Sequence, residues 1–78
     1  MSRAATDIDL MVGARVRLRR KELDLTMAAL GEKLGVSFQQ IQKYENGENR
    51  ISAGCLYKLS SALSVPVGYF FEECETTP

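Results

Sequence analysis

Hydrophobic positions recur at helical spacing along most of the chain, and the pattern is sharpest across residues 26–47, TMAALGEKLGVSFQQIQKYENG. Ala28, Ala29, Leu30, Glu32, Lys33 and Leu34 favour helix, and the Thr26 hydroxyl is placed to cap the first orphan amides. Gly35 closes that helix, since glycine takes the left-handed conformation most readily. Val36 adds an apolar contact. Ser37 then opens a second helix, and Gln40 three positions later completes an S-x-x-Q capping box that satisfies two backbone donors. Only Gly35 and Val36 separate the two helices, too few for a flexible linker. At Gly31 a side chain larger than methyl would hold the helices apart.

The flanks extend the helical pattern. Val12, Val16, Arg20 and Leu23 recur at i, i+4, i+8 and i+11, predicting a helix capped by Thr6 or Asp7 and running to about Leu23. An arginine within an apolar stripe needs a partner, and Glu45, on the inward side of the second motif helix, is the natural one. An Arg20–Glu45 ion pair is therefore expected, the alternative being an Arg20 that snorkels to solvent. Asn46 to Arg50 forms a loop whose Asn-Gly step suits positive φ. Ser52 caps a further helix with a buried stripe of Leu56, Leu59, Ser60 and Leu63. Val65-Pro66 begins a last short helix through Tyr69, Phe70 and Phe71. With no strand-period segment and no internal repeat, the expected fold is all-α, a compact five-helix bundle. Residues 1–8 form an N-terminal arm, 9–72 the domain with the two-helix motif at 26–47, and 73–78 a polar tail.

Placing the second motif helix at about 100° per residue puts Ile41, Tyr44 and Glu45 inward and Gln39, Lys43 and Asn46 outward. The tight turn between two such helices is the spacing of a helix-turn-helix. Its outward face suits hydrogen bonding to base edges. A glutamine amide pairs in bidentate fashion with adenine N6 and N7, and a lysine donates to guanine O6 and N7. Gln39 is the first candidate base reader and Lys43 the second. Phe38 and Gln42 flank them, the ring suited to a thymine methyl and the amide to a base or phosphate. The plainer reading makes all four solvated residues of an ordinary helical hairpin.

Composition sets outer limits. The 78 residues are 45% hydrophobic and 26% charged, as expected of one small globular domain. No apolar run approaches the roughly 18 residues that cross a bilayer, and MSRAATDIDL lacks a secretory core, so a cytoplasmic protein without membrane contact is expected. Histidine is absent, and Cys55 and Cys74 form no CxxC pair. Both read as reduced thiols, with no metal site and no cofactor. Lacking any catalytic constellation, the chain is not expected to be an enzyme. Ten basic and ten acidic residues cancel, but residues 1–50 hold nine Lys or Arg against seven Asp or Glu, and residues 51–78 one against three. The C-terminal end is expected to face away from nucleic acid. Arg15, Arg17, Arg19, Arg20 and Lys21 cluster before the motif, some in reach of phosphate and others only of solvent.

Taken together, Gly13, Val16, Thr26, Leu30, Gly35, Val36, Ile41, Tyr44, Glu45, Asn46, Gly47, Leu56, Leu59, Ala62 and Leu63 resemble the Cro and lambda-repressor family of helix-turn-helix domains over about residues 10–71. The resemblance implies a lambda-repressor-like DNA-binding domain: a transcriptional regulator, a repressor in type, that binds double-stranded operator DNA as a homodimer with its third helix in the major groove. It also matches that family's Arg–Glu link at Arg20 and Glu45. Four positions depart from the pattern. Met27 stands where the family commonly has a phosphate-binding Gln, leaving the backbone amides there to hold the anion. Asp24 replaces a frequent Gly, Gly31 replaces Ala, and Cys55 replaces an Arg often found in the similar subgroup. Thr26, Met27, Ser37, Gln40, Asn46, Asn49, Arg50 and Ser52 are the candidates for positioning phosphate.

One recognition helix reads only a few base pairs, so a two-fold dimer on a palindromic site is expected. Val67, Tyr69, Phe70 and Phe71 are the candidate interface, the other role for these rings being closure of the bundle's base. No small-molecule effector domain is evident. The competing function is a helical protein-interaction module that keeps the fold without binding DNA. Such a surface would be apolar where this chain has Gln39, Gln42, Lys43 and Asn46.

Overall fold

Helix α1 (Ala5–Glu22) is followed by α2 (Met27–Leu34), α3 (Phe38–Glu45), α4 (Ala53–Leu63) and a terminal 3-10 helix, Val67–Phe71. The computed structural model describes the backbone of residues 5–72 and the side chains from Asp7 onward. Helices joined by turns and loops are the secondary structure of those residues, with no strand among them. The tail at 73–78, with Cys74, lies outside them.

Capping residues set three of the helix starts. The hydroxyls of Thr26, Ser37 and Ser52 accept from the amides of Ala29, Gln40 and Cys55 at 3.0, 3.2 and 3.1 Å. Each oxygen satisfies a donor that the first turn leaves without a partner. The capping box at Ser37 forms only in part, because the Gln40 side-chain amide donates to Asn49 Oδ1 at 3.0 Å. Gly35 closes α2 at φ 77°, and Val36 N–H returns to Gly31 O at 2.9 Å. In the 46–50 loop the positive φ falls on Gly47 at 74°.

The ends of α1 differ from expectation. Thr6 and Asp7 lie inside the helix, which already runs at Ala5, so residues 5–8 form its first turn rather than an arm. No breaker stands before Gly13, and an acidic side chain such as Asp7 is favoured near a helix N-terminus. At the other end α1 stops at Glu22. Asp24 then takes the left-handed conformation at φ 56°, turning Leu23 out to 38% exposure. Leu25 packs against the core in its place.

The fifth element is a 3-10 helix and not an α-helix. Ser64 ends α4 at φ 55°, Pro66 has no N–H to donate, and the five residues that follow include Gly68. Segments this short favour the tighter 3-10 turn.

Val12, Val16, Leu30, Leu34, Ile41, Leu59, Leu63 and Phe70 form the core, drawn from every element. Two glycines let backbones meet. A Cβ at Gly13 would strike the carbonyl oxygen of Tyr44 and come within 2.7 Å of that of Glu45, so α1 lies directly on the end of α3. At Gly31 a Cβ would come within 2.5 Å of Val36 O. Even a methyl is therefore too large there, so the limit at this position is tighter than the sequence alone suggests.

Candidate nucleic-acid interface

The two faces of α3 are sorted by burial. Ile41 and Glu45 are buried and Tyr44 half-buried, while Gln39, Gln42, Lys43 and Asn46 are exposed. Phe38, at the first turn, leaves 50% of its surface open. The side chains of Gln39, Gln42 and Lys43 make no hydrogen bond or ion pair within the described residues. Their donors and acceptors stay available to a ligand.

What fixes this face is the buried pair behind it. Arg20 Nε and Nη2 donate to Glu45 Oε2 and Oε1 at 2.6 and 3.0 Å, and Nη1 donates to Leu25 O at 2.9 Å. The two side chains are 9% and 1% exposed. The fork geometry satisfies both charges in the interior and locks the rotation of α3 against α1. Gln40, half-buried, ties α3 to the following loop through its bond to Asn49.

The phosphate-positioning candidates divide by what they already do. Thr26, Ser37 and Ser52 use an oxygen lone pair for capping, and each hydroxyl hydrogen remains to donate. Met27 packs partly against the core, so its contribution at the α2 N-terminus is the backbone amide alone. Asn46 Nδ2 donates to Glu48 Oε2 at 3.3 Å. Asn49 accepts from Gln40 and donates to Glu48 O at 3.2 Å. Arg50 pairs with Asp9, a contact that nothing in the sequence pattern announced.

Most of the basic cluster in α1 has a structural job. Arg15 Nε donates to Tyr69 O at 3.0 Å, its guanidinium lies 3.9 Å from the centre of the Tyr69 ring, and Nη2 meets Glu72 at 3.3 Å. Arg19 Nε donates to Leu63 O at 2.9 Å. These bonds tie α1 to the C-terminal end through carbonyl acceptors, which no residue pattern reveals. Of the cluster, Arg17 and Lys21 make no ion pair among the described residues.

Burial and the Cys55 thiol alongside push the Tyr44 hydroxyl above its ordinary value, with Gln40 opposing.

The candidate dimer patch is also divided. Phe70 is fully buried and belongs to the core, because its ring closes the bundle base edge-on to Tyr69 at 5.5 Å. Tyr69 is half-buried beneath Arg15. Val67 and Phe71 stay open at 38% and 48%.

The Helix-turn-helix family model matches residues 16–70, spanning the capped pair of helices and the core that carries them. The chain belongs to this family. An uncharacterized HTH-type transcriptional regulator of Sinorhizobium medicae is 54% identical over 66 residues, covering 85% of this chain and 48% of that protein. An uncharacterized transcriptional regulator in the ATPase CF(0) region of Rhodospirillum rubrum is 53% identical over 74 residues, or 95% of this chain and 68% of its own length. Among solved structures, the c2 repressor of Salmonella phage P22, in complex with a synthetic operator, superposes with a TM-score of 0.73 at 38% identity, over 78% of this chain and 92% of that one. The helix-turn-helix chain therefore spans about half the length of the first of these relatives.

Proposed function

We propose that the protein is a sequence-specific, double-stranded DNA-binding transcriptional regulator, a repressor that acts as a homodimer in the cytoplasm and reads a palindromic operator with α3 in the major groove. The observation that carries this reading is the exposed, unbonded row of Gln39, Gln42 and Lys43 on a helix whose opposite face is anchored by Arg20–Glu45. Such a face offers bidentate and single donors at fixed positions. Capped N-termini of α2, α3 and α4 supply amides for phosphate around it. The P22 c2 repressor, similar in fold and sequence, is seen on an operator. That supports the same use here.

Gln39 reads a base, with Lys43 following one turn later and Phe38 placed for a thymine methyl. Thr26, the Met27 amide, Ser37, Gln40, Asn46, Asn49, Arg50 and Ser52 hold the backbone. Val67 and Phe71, with the outer edge of Tyr69, offer the apolar surface for a two-fold contact.

Selection from random duplex DNA, with stoichiometry measured on the winning site, tests the reading. An inverted repeat bound by two protomers is expected. Failure to enrich any sequence would refute it and favour an interaction module.

A further inference from the structure

We infer that Asp9 is a positioning residue that presents Arg50 to a DNA phosphate. This inference rests on the DNA-binding reading above. Arg50 Nε lies 3.3 Å from both Asp9 oxygens and Nη2 lies 3.3 Å from Oδ2, so the carboxylate engages one side of the guanidinium. The Nη1 amino group donates to nothing among the described residues. The Arg50 side chain is 68% exposed and that of Asp9 only 17%, which puts the anion behind the cation and leaves the free edge of the fork toward solvent.

The same loop is held from the reading side. Gln40, next to Gln39 on α3, donates to Asn49 at 3.0 Å, one residue before Arg50. Arg50 is thus fixed relative to α3 through Asn49 and relative to α1 through Asp9. Ile8, Val12 and Phe71 line the cleft beside Asp9, whose side chain is largely covered. An ion pair with so exposed a partner contributes little to folding. Its effect is orientation: a long, rotamer-rich side chain is aligned before the phosphate arrives, and a guanidinium has enough donors to bond both anions at once.

Simple electrostatics predicts the opposite sign. Deleting an acid near DNA should tighten binding, whereas losing a positioning residue should weaken it. The test measures affinity of the full chain for a duplex carrying the site that the wild-type protein selects, across a salt series. Arg50→Ala should weaken binding about five- to tenfold and lower the slope of log K against log salt by about 0.9, the loss of one phosphate contact. Asp9→Asn should weaken binding about two- to fivefold with Arg50 present and have no such effect in the Arg50→Ala background. Asp9→Glu, which restores the carboxylate, should recover most of the loss, and melting curves check that each variant is folded. Binding by Asp9→Asn as tight as or tighter than wild type, or equal weakening in both backgrounds, would overturn the inference while leaving DNA binding intact. Absence of wild-type binding to any duplex would overturn both.

Discussion

Helix α1 carries Arg15, Arg17, Arg19, Arg20 and Lys21, whereas the outward face of α3 carries a single cation, Lys43. By charge alone, α1 is the surface that should meet a polyanion. The bonding narrows that difference. Arg15, Arg19 and Arg20 are held by Tyr69, Leu63 and Glu45, while Gln39, Gln42 and Lys43 have no internal partner. Arg15, Arg19 and Arg20 act as internal ties that let a small core hold five elements together, while Arg17 and Lys21 on α1 and Gln39, Gln42 and Lys43 on α3 remain exposed. Charge density alone therefore overstates how much of α1 is open to a ligand, because three of its five cations are already bonded within the fold.

The largest effect is expected at the tie behind the reading face. Arg20→Met strands the Glu45 carboxylate and should destabilise the fold by about 3–5 kcal/mol. Thermal melts check this, and the double variant Arg20→Met with Glu45→Leu should recover most of the loss. A single variant that melts with wild type would show that the pair does not anchor α3. Next comes the backbone contact between the two regions. Gly13→Ala forces α1 off the carbonyls of Tyr44 and Glu45 and should cost about 1–3 kcal/mol in urea unfolding, with weaker DNA binding because α3 shifts.

Arg15→Met removes the bond to the Tyr69 carbonyl and the contact with its ring, for a loss of about 1–2 kcal/mol. Affinity for DNA should not change. If it falls while the protein stays folded, the division between α1 and α3 is wrong. Asp24→Gly should stabilise by about 0.5–1 kcal/mol, since relief of the left-handed strain outweighs the added freedom of the unfolded chain.

The smallest effect is a pH dependence at the back of α3. Because the folded state raises the Tyr44 hydroxyl above its ordinary value, its contribution is present below about pH 10 and is lost as pH rises through the folded value. Tyr44→Phe should flatten that alkaline decline in urea midpoint. An unchanged decline would place its source elsewhere.

Legibility in the sequence follows the range of each interaction. Thr26, Ser37 and Ser52 were readable as caps because a hydroxyl and the amide three residues on obey a local rule. Gly35 was readable for the same reason. Arg20 was readable at long range because a charge inside an apolar stripe demands a partner, and only Glu45 faced it. By contrast, the half-buried Asp9 and the exposed Arg50 are 41 positions apart, with nothing in either neighbourhood to require the other. Arg15 and Arg19 bond to carbonyls, which every residue possesses. The capping box at Ser37 misled because Asn49 competes for the Gln40 amide. Phe70 and Phe71 divided between core and surface because a 3-10 helix turns about 120° per residue, sending neighbours to different sides.

The central claim is that the unbonded face of α3 discriminates among sequences, and the most direct measurement is the affinity of Gln39→Ala for the selected site and for every single-base-pair variant of it. Loss of about 1–3 kcal/mol on the selected site, with preference relaxed at one position in each half-site and the melting temperature unchanged, is the predicted result. An equal loss on every sequence, or no loss at all, would contradict it.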